Sequence, residues 1–161
     1  MSAIISECGT YRYLLTRPGD RHADKGSALL LMLNPSTADA TEDDPTIRRC
    51  RSFARAWGCN GIAVANLYAL RATDPAELWK HADPVGPDND WRLTAIAKEY
   101  TDIVCAWGVN ARPERVAAVT NILIAAGGRL WCLGTTKDGH PRHPLYLRSD
   151  QTLIPWVMPS A

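Results

Sequence analysis

Four short runs, Ala28–Leu33, Gly61–Ala65, Ile103–Trp107 and Arg129–Leu133, are largely apolar throughout and do not alternate with polar residues. Runs of this length, each closed by loop-forming residues, read as strands buried on both faces. Helical patterns lie between them. Asp44-Pro45 supplies a cap and a first-position proline, after which Ile47, Cys50, Phe53, Ala54 and Trp57 recur at helical spacing until Gly58. Asp74-Pro75 repeats that signal before a short helix to His81, a Pro/Gly turn at Asp83–Pro87 and a helix over Asp88–Tyr100. A third helix spans Pro113–Ala126, with Val116, Val119, Ile122, Leu123 and Ala126 on one stripe and Gly127-Gly128 as its stop. Ahead of all this, Tyr11–Thr16 alternates enough to be an edge strand. Strands joined by helical crossovers predict a single α/β domain over residues 1–161. Its expected architecture is a three-layer α/β/α arrangement around a four-stranded parallel sheet.

In such a sheet ligands bind beyond the carboxyl ends of the strands, where strand order reverses. The segments expected there carry most of the hydrogen-bonding chemistry of the chain. Strand one runs into Asn34-Pro35-Ser36-Thr37, strand two into Asn66-Leu67-Tyr68, strand three into Trp107-Gly108-Val109-Asn110, and strand four into the loop holding Lys137, His140, Arg142 and His143. Taken singly, each piece has a plainer explanation: Asn-Pro forms turns, asparagine caps strand ends, and loop histidines face solvent. Their convergence on one edge is what points to a shared site.

Composition narrows the partners. Eighteen Lys and Arg against seventeen Asp and Glu leave a net charge of +1, so no global field draws the protein to nucleic acid or membrane. No apolar run is long enough to span a bilayer and no signal-peptide pattern opens the chain, which reads as cytoplasmic. A local basic patch is conceivable. Arg48, Arg51 and Arg55 fall on one stripe of the first helix and could track a phosphate backbone, with Lys137, Arg142 and Arg148 extending it. Asp39, Glu42, Asp43 and Asp44 are the acidic counterpart, without the spacing of a metal site. The five cysteines, Cys8, Cys50, Cys59, Cys105 and Cys132, form no C-x-x-C pair and read as reduced, mostly core thiols. Neither a metal nor an organic cofactor is expected.

Two resemblances follow from these blocks. Leu33-Asn34-Pro35-Ser36-Thr37-Ala38-Asp39, Asp44-Pro45-Thr46-Ile47-Arg48-Arg49-Cys50, the stretch from Asn66 to Pro75, and the stretch from Lys137 to Tyr146 resemble the signature blocks of a bacterial and phage family known as a domain of unknown function. Their order is also similar to that of the uracil-DNA glycosylase superfamily. That likeness implies a four-stranded parallel sheet, an Asn34 that positions the attacking water, and an Asn66 that reads the base. It further implies a His-Pro element followed by a leucine wedge. This chain reads His140-Pro141-Arg142-His143-Pro144-Leu145, with an extra residue relative to the usual block, so either histidine could serve.

The chemistry asked of such a site is modest. Hydrolysis of an N-glycosidic bond passes through an oxocarbenium-like sugar and a departing anionic base. The site must orient one water, stabilise charge on the base and hold its edge. Asn34 could orient the water, with Pro35 and Ser36 shaping the substrate site beside it. His140 or His143 could donate to the base, Asn66 and Asn110 could bond its edge, and Tyr68 or Trp107 could stack on its face. The expected partner is a nucleobase, a nucleotide or DNA. Two rivals share these residues: a non-enzymatic module for modified or single-stranded nucleic acid, and an enzyme acting on free nucleotides or deoxynucleosides.

Overall fold

The four apolar runs become strands because their side chains are claimed from both sides. In the computed structural model, which describes residues 1–19 and 23–159, β3 (Ala28–Met32), β4 (Gly61–Asn66), β5 (Asp102–Cys105) and β6 (Arg129–Cys132) lie parallel. Leu30, Met32, Ile62, Val64 and Val104 point to one face and meet Ile47, Cys50 and Ala54 of α1 (Pro45–Ala56). Leu29, Leu31, Ala63, Ala65, Ile103 and Cys105 point to the other. There they meet Leu93, Ile96 and Ala97 of α2 (Asn89–Glu99) and Val116, Val119 and Leu123 of α3 (Pro113–Ala125). The short helix after Asp74 is a 3₁₀ segment, Pro75–Lys80. Among the described residues no helix is long and apolar enough to cross a membrane.

The sheet is larger than the sequence pattern indicates. Among the described residues it has seven strands in the order β1-β2-β4-β3-β5-β6-β7, with three antiparallel strands added to the parallel four. These are β1 (Ser2–Ile5) and β2 (Arg12–Pro18) on one side and β7 (Ile154–Pro155) on the other. Tyr11–Thr16 is therefore not an edge strand: β2 is flanked by β1 and β4. β1 and β7 are too short and too exposed to carry a strand signal of their own.

β2 also contains a β-bulge. Ile4 pairs with Leu14 and Ile5 with Arg12, leaving Tyr13 as the extra residue. Tyr11 and Tyr13 both pack on the α2 and α3 face, while Leu15 packs on the α1 face. Regular alternation from Leu15 and Arg17 would have sent Arg12 to the α2 face. The inserted residue returns it to the α1 face, where its Nη1 donates to the carbonyl of Ala38 at 2.5 Å.

Arg17, two positions beyond Leu15, anchors the loop from β3 to α1. Its Nε lies 2.6 Å from Asp43 Oδ1, and its terminal nitrogens donate to the carbonyls of Thr16, Asp39 and Glu42. Asp43 is shared with Arg51, whose Nη1 is 2.8 Å from the other carboxylate oxygen. Burial pushes the Asp43 carboxyl up, but the hydrogen bonds from Arg17 and Arg51 outweigh it and hold the group below its ordinary value. Cys50, Cys105 and Cys132 are buried thiols, as their apolar contexts suggest, whereas Cys8 is exposed and Cys59 half-buried.

Candidate functional site

The chain passes from β3 to β4 on one side and reaches β5 on the other, so the loops leaving β3 and β5 diverge and open a crevice between them. A cavity of about 680 Å³ occupies this place. Loops after all four parallel strands line it, contributing Asn34 and Ser36, Asn66, Trp107 and Asn110, and Arg142 and His143. Its volume falls within the range of small-ligand sites, roughly 300–1,000 Å³.

Asn66 is the last residue of β4 and pairs with Met32. It is 1% exposed, and neither its Nδ2 nor its Oδ1 has a hydrogen-bond partner among the described residues. Its backbone is nonetheless fixed. The buried Asn89 donates Nδ2 to the carbonyls of Asn66 and Leu67, each at 3.1 Å, and Arg115 Nε donates to the Leu67 carbonyl at 2.8 Å. A rigidly mounted amide with an unused donor and an unused acceptor costs about 1–3 kcal/mol per unpaired group. Trp107 adds a second unpaired donor, its buried Nε1, while its ring packs edge-on to Trp156 at 5.0 Å between centroids.

Asn34 is fixed differently. Its Nδ2 donates to the carbonyls of Ala72 at 2.8 Å and Pro35 at 3.0 Å, stapling the β3–α1 loop to the segment after β4. With both amide hydrogens engaged, Oδ1 is the atom left over, and no described residue donates to it. An oriented amide oxygen of this kind can hold a water by one of its protons. It cannot remove that proton.

His143 caps the 3₁₀ segment Pro144–Tyr146, its Nδ1 accepting from Leu145 N at 3.2 Å. With Nδ1 an acceptor, the neutral ring carries its proton on Nε2. Burial pushes the imidazole below its ordinary value, with Asp44 pulling the other way, so the neutral donor form is favoured. His140, by contrast, does not line the cavity, and its backbone N donates to Thr136 Oγ1 within its own loop. The loop turns at Gly139, whose φ is +84° and where a Cβ would stand 2.8 Å from Pro159 Cγ. It then docks through Gly108 N on the Pro141 carbonyl at 2.9 Å.

Several expected contributors lie elsewhere. Tyr68 sits on the α2 and α3 face, its hydroxyl accepting from Arg112 N and its ring edge-on to Trp79, so it does not reach the cavity. Pro35 is buried behind Asn34, and Lys137 is exposed outside the lining. Arg48, Arg51 and Arg55 do not form a free basic stripe at the site. Arg48 donates to the Asp43 carbonyl, Arg51 is bound to the Asp43 carboxylate, and Arg55 borders a separate hollow beside Pro18 and Gly61 at the amino edge of the sheet. A helix leaving the carboxyl edge carries its later turns away from that edge.

Across this region a family model matches residues 12–145. The chain belongs to DUF1643, a family described as a protein of unknown function. No curated protein and no solved structure matches the chain. The matched span of this DUF1643 chain begins at Arg12 and ends at Leu145, both of which line the cavity.

Arg12 and Asp44 are cavity residues that the strand-end reading passed over. Asp44 was legible as the cap of α1, accepting from Ile47 N at 2.9 Å, and the start of a crossover helix that leaves a parallel strand lies toward the carboxyl edge. Arg12 gave no such signal, because only the bulge turns it inward. Tyr146 and Leu145 stand at the mouth, 86% and 37% exposed. Arg49 of α1 holds their segment by donating to the Pro144 and Leu147 carbonyls and to Ser149 Oγ.

Proposed function

We propose that this cavity binds a nucleobase and that the protein hydrolyses the N-glycosidic bond joining that base to its sugar. The observation that carries the reading is Asn66: a buried, rigid side-chain amide with donor and acceptor both unpaired is matched by the paired donor and acceptor on a nucleobase edge. The similarity of the Asn34-Pro35, Asn66 and His-Pro-Leu blocks to the uracil-DNA glycosylase superfamily supports the same reading. So does a sheet whose parallel strands bring those blocks to one edge.

In this scheme the Asn34 amide oxygen holds a water against the anomeric carbon. The glycosidic bond breaks with its electron pair passing to the base, and the water oxygen then bonds to the oxocarbenium-like sugar and loses its proton to solvent. Because Asn34 is no base, departure of the leaving group runs ahead of attack. The Nε2 proton of His143 stabilises the charge building on the base, in the role that an oxyanion donor plays in acyl transfer. Arg48, Arg51 and Arg55 do not line the cavity, which favours a free nucleoside or nucleotide over a duplex as substrate.

The test is release of free base from a panel of deoxynucleosides, nucleotides and oligonucleotides, followed by mass spectrometry. Asn34→Ala should abolish release, His143→Ala should slow it about a hundredfold, and His140→Ala should leave it unchanged. Full activity of His143→Ala, or loss confined to His140→Ala, would overturn the assignment.

A further inference from the structure

Two arginines of β2 are buried on the α1 face, and they are satisfied very differently. Arg17 has a carboxylate and three backbone carbonyls. Arg12, 2% exposed, has one carbonyl, that of Ala38, and among the described residues no carboxylate within ion-pair distance. Its Nε is buried without a partner, and its Nη2 makes no hydrogen bond to any described residue. A guanidinium in this state has no carboxylate in direct contact, Asp44 and Asp39 acting on it only at longer range, and leaving a buried charge without a direct partner is among the costliest defects a fold can carry. The bulge at Tyr13 places the defect at the cavity, since regular pairing would have sent the side chain to the opposite face.

We propose that Arg12 is a phosphate subsite, taking the terminal phosphate of a nucleoside monophosphate whose base lies against Asn66. The base half of this statement rests on the function proposed above; the phosphate half rests on Arg12 alone. A planar guanidinium with free nitrogens suits two phosphate oxygens at once. The group must be terminal, because a phosphodiester continues in both directions and a nearly fully buried cation offers no path for the second. Burial lowers the Arg12 pKa to about 10, which still leaves it charged at neutral pH. Arg142, exposed at the rim with its Nε on the Thr135 carbonyl, adds a second positive charge to the lining, and Asp44 is the carboxylate facing both the guanidinium and the imidazole of His143.

Calorimetry on the intact chain with a nucleoside, its monophosphate, inorganic phosphate and a single-stranded oligonucleotide decides the matter. The monophosphate should bind about tenfold or more tightly than the nucleoside, as a charge-assisted contact requires. Inorganic phosphate should bind and raise the melting temperature. Arg12→Met should bring the monophosphate down to the nucleoside's affinity without changing the latter, and Arg12→Lys should keep part of the preference. Equal wild-type affinity for nucleoside and monophosphate, with no response to phosphate, overturns the subsite while leaving the nucleobase reading intact, whether or not either variant folds. Phosphate binding that Arg12→Met removes, in a protein that binds no nucleoside, keeps the subsite and overturns the nucleobase reading. An oligonucleotide that outbinds the monophosphate and depends equally on Arg12 overturns the terminal-phosphate assignment.

Discussion

Asn66 and Arg17 are two buried polar residues whose side chains are satisfied very differently. Arg17 has a carboxylate and three carbonyls, while the Asn66 side chain has no partner among the described residues. Removing a satisfied polar group is destabilising, whereas removing an unsatisfied one relieves a desolvation cost that offsets the lost packing. Asn66→Ala should therefore change unfolding free energy by no more than about 1 kcal/mol in either direction. The same substitution should abolish nucleobase binding. Thermal melts and titration calorimetry on one preparation check both halves. A destabilisation of several kcal/mol would mean that the amide has structural partners after all.

At the scale of elements, the β3–α1 loop is held from beneath as well as by its own turn at Asp39, whose carboxylate accepts from Thr41 N and Glu42 N. Arg12 and Arg17 reach up from β2 to the carbonyls of Ala38, Asp39 and Glu42, and Asp43 ties Arg17 to Arg51 of α1. Asn34 then staples the loop sideways to Ala72. Asp43→Ala leaves the guanidinium of Arg17 buried with carbonyl partners alone and should cost about 3 kcal/mol by urea unfolding. The carboxyl of Asp43 titrates lower in the folded protein than in the unfolded chain. Its stabilisation is thus complete above the unfolded carboxylate range, about pH 4, and is lost as pH falls through the folded value. Asp43→Asn should flatten the acid limb of the stability profile. An unchanged profile would show that another carboxylate governs it.

For the molecule as a whole, the candidate site depends on connectivity and not on any single helix. Four loops from four parallel strands meet at one edge, and α1 carries Arg51 and Arg55 away from it. Replacing Arg48, Arg51 and Arg55 together should leave small-ligand affinity within about twofold while lowering stability through loss of the Arg51–Asp43 pair. A tenfold or greater loss of nucleotide affinity in a folded triple variant would return those arginines to the binding surface.

Much of this was written in local pattern. Apolar runs, helical periodicity and the Asp44-Pro45 cap marked the four parallel strands and three helices to within a residue or two, because burial and capping are short-range demands. Parallel connectivity then placed Asn34, Asn66 and the histidine loop on one edge. Three things lay beyond that reading. β1 and β7 are strands only because a neighbour's edge pairs with them. That His143 and not His140 lines the cavity follows from how the loop docks on Gly108. Arg12 faces the cavity only because one residue of β2 is left unpaired opposite β1, and strand alternation alone assigns it to the wrong side. Periodicity records what each residue needs from its immediate neighbours; register between distant strands decides which face receives it, and only the folded sheet contains that register.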